Sequence, residues 1–181
     1  YYQTRGQLWE AQALTRARPI AGPLQNEFME LAKHVWKLAG HRPDLFAQID
    51  AMLERIRRDR GSASDELDFK TGLGGVIEAE FLVQALQMRT GIWQPRMLDA
   101  LEQLAEAGVM KRPDAEELRG HYNYLRAVGS ALRRWENKSV SILPADKAEQ
   151  EKLAVRSGAK NLDEFAQAYR CVTLPVAPRT Y

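Results

Sequence analysis

The residues whose arrangement most suggests chemistry fall in one stretch, Asp68-Phe-Lys-Thr-Gly-Leu-Gly-Gly-Val-Ile-Glu-Ala-Glu80. Gly72, Gly74 and Gly75 permit backbone angles that other residues resist, and they let a ligand or a second chain come close. A helix follows the glycines, so its free amide groups would welcome an anion, with Lys70 as a counter-charge. The stretch could therefore cradle phosphates. It could equally be a tight turn that lets two helices or a second domain approach. It lacks the Gly-Lys-Ser/Thr ending of a P-loop and follows no buried strand. On a helix, Glu78 and Glu80 stand about 200° apart and cannot share a face. Glu80 lines up with Val76, Val83, Gln84 and Gln87, and Glu78 with Gly74, Leu82 and Ala85. At least one carboxylate is thus predicted to point into packed protein, where a charge needs a partner.

Other constellations are thinner. Arg16 and Arg18, at a helix end beside Glu10, could grip a phosphate or an acidic partner, or could belong to a surface ion-pair network. Gly61-Ser62 followed by Asp65 and Asp68 is superficially similar to a nucleotidyltransferase signature. That chemistry needs two carboxylates on one metal-binding edge, usually Asp-x-Asp on a strand. Here the spacing is Asp-x-x-Asp between helices, so no metal site is predicted. His34, His41, His121 and Cys171 show no metal spacing, and none of the histidines has a Ser or Cys partner for nucleophilic catalysis. His121, Tyr122, Tyr124 and Trp135 sit on apolar stripes and read as core. The run Arg55, Arg57, Arg58, Arg60 reads as a solvated face. No complete catalytic set is present, and no catalytic residue is assigned.

The elements that must position these residues are helical. Residues 4–18 form a predicted first helix, ended by Pro19. Residues 23–39 form a second, with the stripe Leu24, Phe28, Leu31, Val35 and Leu38 predicted to face the core. Pro43 starts a third, burying Leu45, Ile49, Met52, Leu53 and Ile56. The helix after the glycines runs from about 74 to 90. Pro95 opens a fifth and Pro113 the longest, to about Asn137. That one carries two adjacent apolar stripes, Leu118, Tyr122, Leu125, Gly129, Leu132 and His121, Tyr124, Val128, Ala131, Trp135, as a helix central to a bundle would. Helices at about 146–157 and after Asn161 complete the set. The reading is all-α: a bundle of about eight helices with one long central helix, and at most a short extended segment from Leu67 to Lys70. Residues 1–174 are expected to form a single helical domain and 175–181 a loose tail.

The totals set outer bounds. The 181 residues fit one domain with a real core, and 45% hydrophobic with 28% charged residues is ordinary for a soluble protein. With 26 basic and 24 acidic residues, the net charge of +2 argues against a nucleic-acid binder. The longest uncharged apolar run, Phe81 to Leu86, contains Gln84, so no membrane helix is predicted. A lone cysteine and no visible signal peptide suggest a reducing, cytoplasmic setting. The opening Tyr1-Tyr2-Gln3, with no initiator Met, suggests a segment of a longer protein.

Gly6-Gln-Leu-Trp-Glu-Ala-Gln-Ala-Leu-Thr-Arg-Ala-Arg-Pro-Ile-Ala-Gly22 resembles the Trp-Glu-x-x-Ala-Leu-x-x-Ala-Arg-x-x-Ala-Gly segment of glutamine synthetase adenylyltransferases. The central stretch, through Gln84, resembles that family's Lys-x-Gly-x-Gly-Gly-Ile-x-Asp-Ile-Glu-Phe-x-Val-Gln. Leu101 to Gly108, Ala115 to Arg126 and Leu143-Pro144 also fit, so the likeness covers nearly the whole chain. Ile77, Glu78 and Ala79 depart mildly from the pattern. PII uridylyltransferases share a looser version. The resemblance implies the helical domain that follows a nucleotidyltransferase domain, whose catalytic carboxylates are not among these residues. The parent enzyme would move AMP between ATP and a tyrosine of glutamine synthetase with Mg²⁺, under control of the PII protein and glutamine. No cofactor is expected in this chain alone. On this resemblance, Glu10, Arg16 and Arg18 would face the catalytic domain. Lys70, Gly72, Gly74, Gly75, Glu78 and Glu80 would form a docking or substrate-side surface. The alternative is a module without chemistry that binds PII or glutamine synthetase, or the equivalent domain of a PII uridylyltransferase-like protein.

Overall fold

Helix signals in the sequence become helices almost wherever they occur. The computed structural model describes residues 6–60, 68–136 and 142–173. Eight α-helices lie among them: α1 Leu8–Ala13, α2 Gln25–Gly40, α3 Leu45–Arg60, α4 Val76–Thr90, α5 Met97–Glu106, α6 Arg112–Glu136, α7 Lys147–Arg156 and α8 Leu162–Thr173. The only extended pairing among the described residues is an isolated antiparallel bridge between Ile142 and Asp68, the latter in the short segment predicted to be extended. The fold is all-α. No described helix is long and apolar enough to cross a membrane. The predicted polar loop 61–66, the tail 175–181 and the side chain of Trp135 lie outside the described residues.

α1 is shorter than predicted. It runs for one and a half turns, tightens into a 3₁₀ turn at Leu14–Arg16, and leaves helical geometry at Ala17 (ψ 134°). Pro19 disfavours helix in the residue before it, so the chain turns extended just upstream. At the other end Glu10 reaches back to the Gln7 amide at 2.7 Å, half of a reciprocal cap.

The described residues divide into two compact units, one drawn from Tyr1–Glu54 and Glu80–Glu116, the other from Arg55–Ala79 and Glu117–Tyr181. In the first unit the core is built on α1, α2, the early part of α3, the body of α4, and α5. Trp36 is fully buried; its indole N–H donates to the Thr15 hydroxyl at 2.7 Å, and its ring meets Trp93 edge-on at 5.0 Å. Gln12 donates to the Gln84 carbonyl oxygen at 2.8 Å, joining α1 to α4 by a buried bond. Gln87, also buried, donates to the carbonyls of Ile92 (3.1 Å) and Gln94 (2.8 Å) and so closes the loop after α4.

α2 does not bury the face predicted for it. Of the stripe Leu24, Phe28, Leu31, Val35 and Leu38, only Val35 is buried; the others are 66%, 45%, 58% and 49% exposed. The buried face is Ala32, Val35, Trp36 and Gly40. Two local facts turn the helix this way. Trp36 has the largest side chain on α2 and finds a hydrogen-bond partner inside. Gly40 lies so near Met88 that a Cβ there would stand 2.0 Å from the Met88 carbonyl oxygen. Close backbone approach plus a buried indole outweighs a longer but purely aliphatic stripe.

In the second unit one cluster joins Phe69 and Val76 to Leu125, Val128, Ala131 and Leu132 of α6, Leu153 and Ala154 of α7, and Phe165, Tyr169 and Val172 of α8. Both predicted stripes of α6 contribute. Gly129 makes room for the Phe69 ring, whose nearest carbon would be 2.7 Å from an added Cβ. Asn161 caps α8 by accepting from the Glu164 amide at 2.8 Å, as the capping pattern anticipates.

Burial pushes the Tyr124 hydroxyl from 10.0 up to about 12, and raises Tyr169 further, with the Asp68 carboxylate and Tyr124 adding to the burial effect. A raised folded-state pKa keeps the neutral phenol favoured. Its stability contribution is complete below pH 10 and drains away as pH rises toward 12, because the unfolded chain ionises first. The urea midpoint is therefore expected to fall across that interval, less steeply in Tyr124→Phe. Parallel pH profiles for the two proteins would contradict this.

Candidate functional site

The glycine stretch is a turn closed upon itself. Asp68, buried, accepts from the backbone amides of Lys70 and Thr71 at 2.9 Å each and from the Thr71 hydroxyl. Its own carbonyl takes the Gly72 amide at 3.0 Å. Gly74 adopts φ +67°, a conformation that strains any side chain. A Cβ on Gly75 would lie 2.8 Å from the Gly72 carbonyl oxygen, so that position must also stay bare. Phe69, buried against Gly129, fastens the turn to its unit.

Several amides that could have met an anion have acceptors within the chain. Gly75 donates to Gly72, Val76 to Phe69 and Ile77 to Lys70, each at 3.0 Å, and Gly74 donates to the Glu78 carboxylate at 2.9 Å. A phosphate would have to displace bonds the chain already makes. The geometry thus favours the tight-turn reading over the cradle. What the turn presents outward is side chain: Leu73, 52% exposed, and Lys70, half-buried. Gly72 and Gly75 are buried.

The two carboxylates part company as the helical period requires. Glu78 pairs with Arg57 of α3, within the second unit. Glu80, 13% exposed, pairs with Arg16 at 2.5 Å, within the first unit. So the structure joins Arg16 to Glu80, and joins Gly74 to Glu78, but Arg18 is simply exposed. Glu10 serves the α1 cap.

Sequence reasoning passed over Arg57, placing it on a solvated face with Arg55 and Arg58. Those two are exposed, whereas Arg57 retains 18% side-chain exposure. The available signal was register: Arg57 lies four residues after Leu53 and eight after Ile49, on the buried stripe of α3. Asp68 is likewise a turn-holder; Ser62 and Asp65 lie outside the described residues. Among the described residues no group of three His, Cys, Asp or Glu side chains is arranged to hold a metal ion. Asp68, Glu78 and Glu80 are each engaged by other groups of the chain.

A protein-family model described as GlnD PII-uridylyltransferase matches residues 44–177. The bifunctional glutamine synthetase adenylyltransferase/adenylyl-removing enzyme of Streptomyces avermitilis is 33% identical over 168 residues, covering 88% of this chain and 17% of that protein. Its counterpart in Hahella chejuensis is 31% identical over 166 residues, covering 87% and 17%. The one in Mesorhizobium japonicum is 29% identical over 187 aligned positions, covering 97% of this chain and 19% of that protein. The chain spans less than a fifth of the length of these relatives.

Proposed function

Because the chain belongs to the GlnD PII-uridylyltransferase family, in the form found in bifunctional glutamine synthetase adenylyltransferase/adenylyl-removing enzymes, we propose that it is the helical domain of such an enzyme. In this reading it packs beside a nucleotidyltransferase active site on the same polypeptide. That site moves AMP between ATP and a tyrosine of glutamine synthetase, with PII and glutamine as regulators. The observation that carries the reading is the continuous likeness from the α1 segment to α8, at under a fifth of the relatives' length. This is what one domain of a larger enzyme would give.

ATP and Mg²⁺ are left to the nucleotidyltransferase domain, which would supply the phosphoryl chemistry. This chain's contribution is positional. Within the second unit the closed turn and the Arg57–Glu78 pair hold the start of α4, and within the first unit Glu80 pairs with Arg16. A fixed helix start, with exposed Arg18 two residues from the Arg16 that pairs with that helix, is suited to supporting a neighbouring domain, since catalytic groups misplaced by about 1 Å can cost ~100-fold in rate.

In the full-length polypeptide, Glu80→Gln and Arg18→Gln are each expected to lower AMP transfer to glutamine synthetase by roughly tenfold, a transition-state loss of about 1.4 kcal/mol. The melting temperature should hardly move in Arg18→Gln, because Arg18 is exposed, and should fall only modestly in Glu80→Gln, whose partner Arg16 is half-exposed. Unchanged turnover in both variants would sink the assignment. The name of the matching family model favours a second reading, in which the parent enzyme acts on PII. Offering glutamine synthetase and PII side by side as acceptors separates the two.

A further inference from the structure

Residues 8–16 are seated by polar contacts as much as by apolar ones. Of the four side chains they bury, Leu8 and Ala11 are apolar, whereas Gln12 and Thr15 are polar. Gln12 donates to Gln84 of α4 at 2.8 Å. Four residues further along the chain, Arg16 pairs with Glu80, which lies four residues before Gln84. The two contacts are successive rungs between antiparallel segments, one helical turn apart on each side. All four residues lie in the first unit.

The inner rung is a poor source of strength. The Gln12 carbonyl oxygen (Oε1) is buried without a hydrogen-bond partner, so half of that amide is desolvated for nothing. Two apolar side chains of the same shape would hold the helices together at least as well. They would not supply register, because apolar contacts tolerate sliding whereas a hydrogen bond is directional. A slip of one turn would set Gln12 beside apolar Met88 and Arg16 beside Gln84. Leu8 and the single methyl of Ala11 oppose such a slip only weakly. The outer rung cannot enforce its own register, since the Arg16 side chain is 53% exposed and an ion pair so open to water is weak.

Resting on the function proposed above, we propose that Gln12 and Gln84 are positioning residues. Their buried bond sets the register of α1 on α4 and so holds Arg16 against Glu80, the carboxylate on which AMP transfer is expected to depend.

The test combines Gln12→Met with Gln84→Met in the full-length polypeptide, which removes the bond at similar volume. The melting temperature is expected to hold or rise; a clear drop would overturn the proposal, because the bond would then be a source of strength. The kcat for AMP transfer to glutamine synthetase should fall several-fold with KM unchanged. Adding Glu80→Gln should lower it no further, since both changes act through one contact; losses that multiply would overturn the proposal. Register is also read without AMP transfer. In an Arg16→Lys polypeptide, a water-soluble carbodiimide should join positions 16 and 80 through an amide bond, mapped by peptide mass spectrometry. The yield should fall several-fold once Gln12→Met and Gln84→Met are added. A missing link before that addition, or an undiminished yield after it, would overturn the proposal. A diminished yield in a polypeptide whose parent fails to modify glutamine synthetase would uphold the register while discarding the assigned reaction.

Discussion

Replacing Gly40 by alanine is expected to destabilise the first unit by roughly 3 kcal/mol or more, at the upper end for overpacking. The added Cβ would sit 2.0 Å from the Met88 carbonyl oxygen and 2.5 Å from its carbon. Both are backbone atoms of α4, so no rotamer change relieves the clash. The helices must separate, and with them go the packing of Trp36 and its bond to Thr15. For a chain of this size the melting temperature should drop by about 6–12 °C. Gly120→Ala is the control. It lies in α6 with nothing within 4 Å of the added carbon. That change should stabilise by about 0.5–1 kcal/mol through helix propensity alone. Thermal melts followed by circular dichroism decide the matter; a Gly40→Ala protein melting with the parent would show that the two helices are not held in contact there.

Asp68→Ala is expected to cost about 3 kcal/mol, because it strands three donors gathered around a buried acceptor. The Lys70 and Thr71 amides and the Thr71 hydroxyl all lose their acceptor together, at a residue that is 3% exposed. Asp68→Asn separates geometry from charge: its amide oxygen can still accept the two backbone bonds. Its cost should stay near 1 kcal/mol, the scale of a single hydrogen bond. Under the function proposed above, AMP transfer by the full-length polypeptide should follow the same order, with the alanine variant well below the asparagine one. Equal stabilities would mean that the turn is held by Phe69 in its pocket and not by the carboxylate.

Much of this was legible in advance. Proline, glycine and capping positions located the helices to within a few residues, except that α1 is shorter than predicted, because these residues act through local backbone geometry. The opposed directions of Glu78 and Glu80 followed from the helical period alone. Which arginine each would meet did not, since Arg16 and Arg57 are brought in by other helices and no spacing links them to α4. The function of the glycines was open between phosphate cradle and tight turn. The choice turned on where four amides point, and an amide's acceptor is a matter of three-dimensional closure.

The α2 stripe shows the limit most sharply. Sequence periodicity specifies that a helix has an apolar face, here two of them, but not which face finds a neighbour first. By itself the sequence determined an all-α chain, its helix ends, the glycine turn before α4 and the need of its carboxylates for partners. Only the tertiary structure decided that α2 turns Trp36 and Gly40 inward and leaves Leu24, Phe28, Leu31 and Leu38 bare. The reason is physical. Local propensity acts within one turn of chain, whereas burial is a competition among faces for a limited volume. That competition is won by close backbone contact and a satisfied indole.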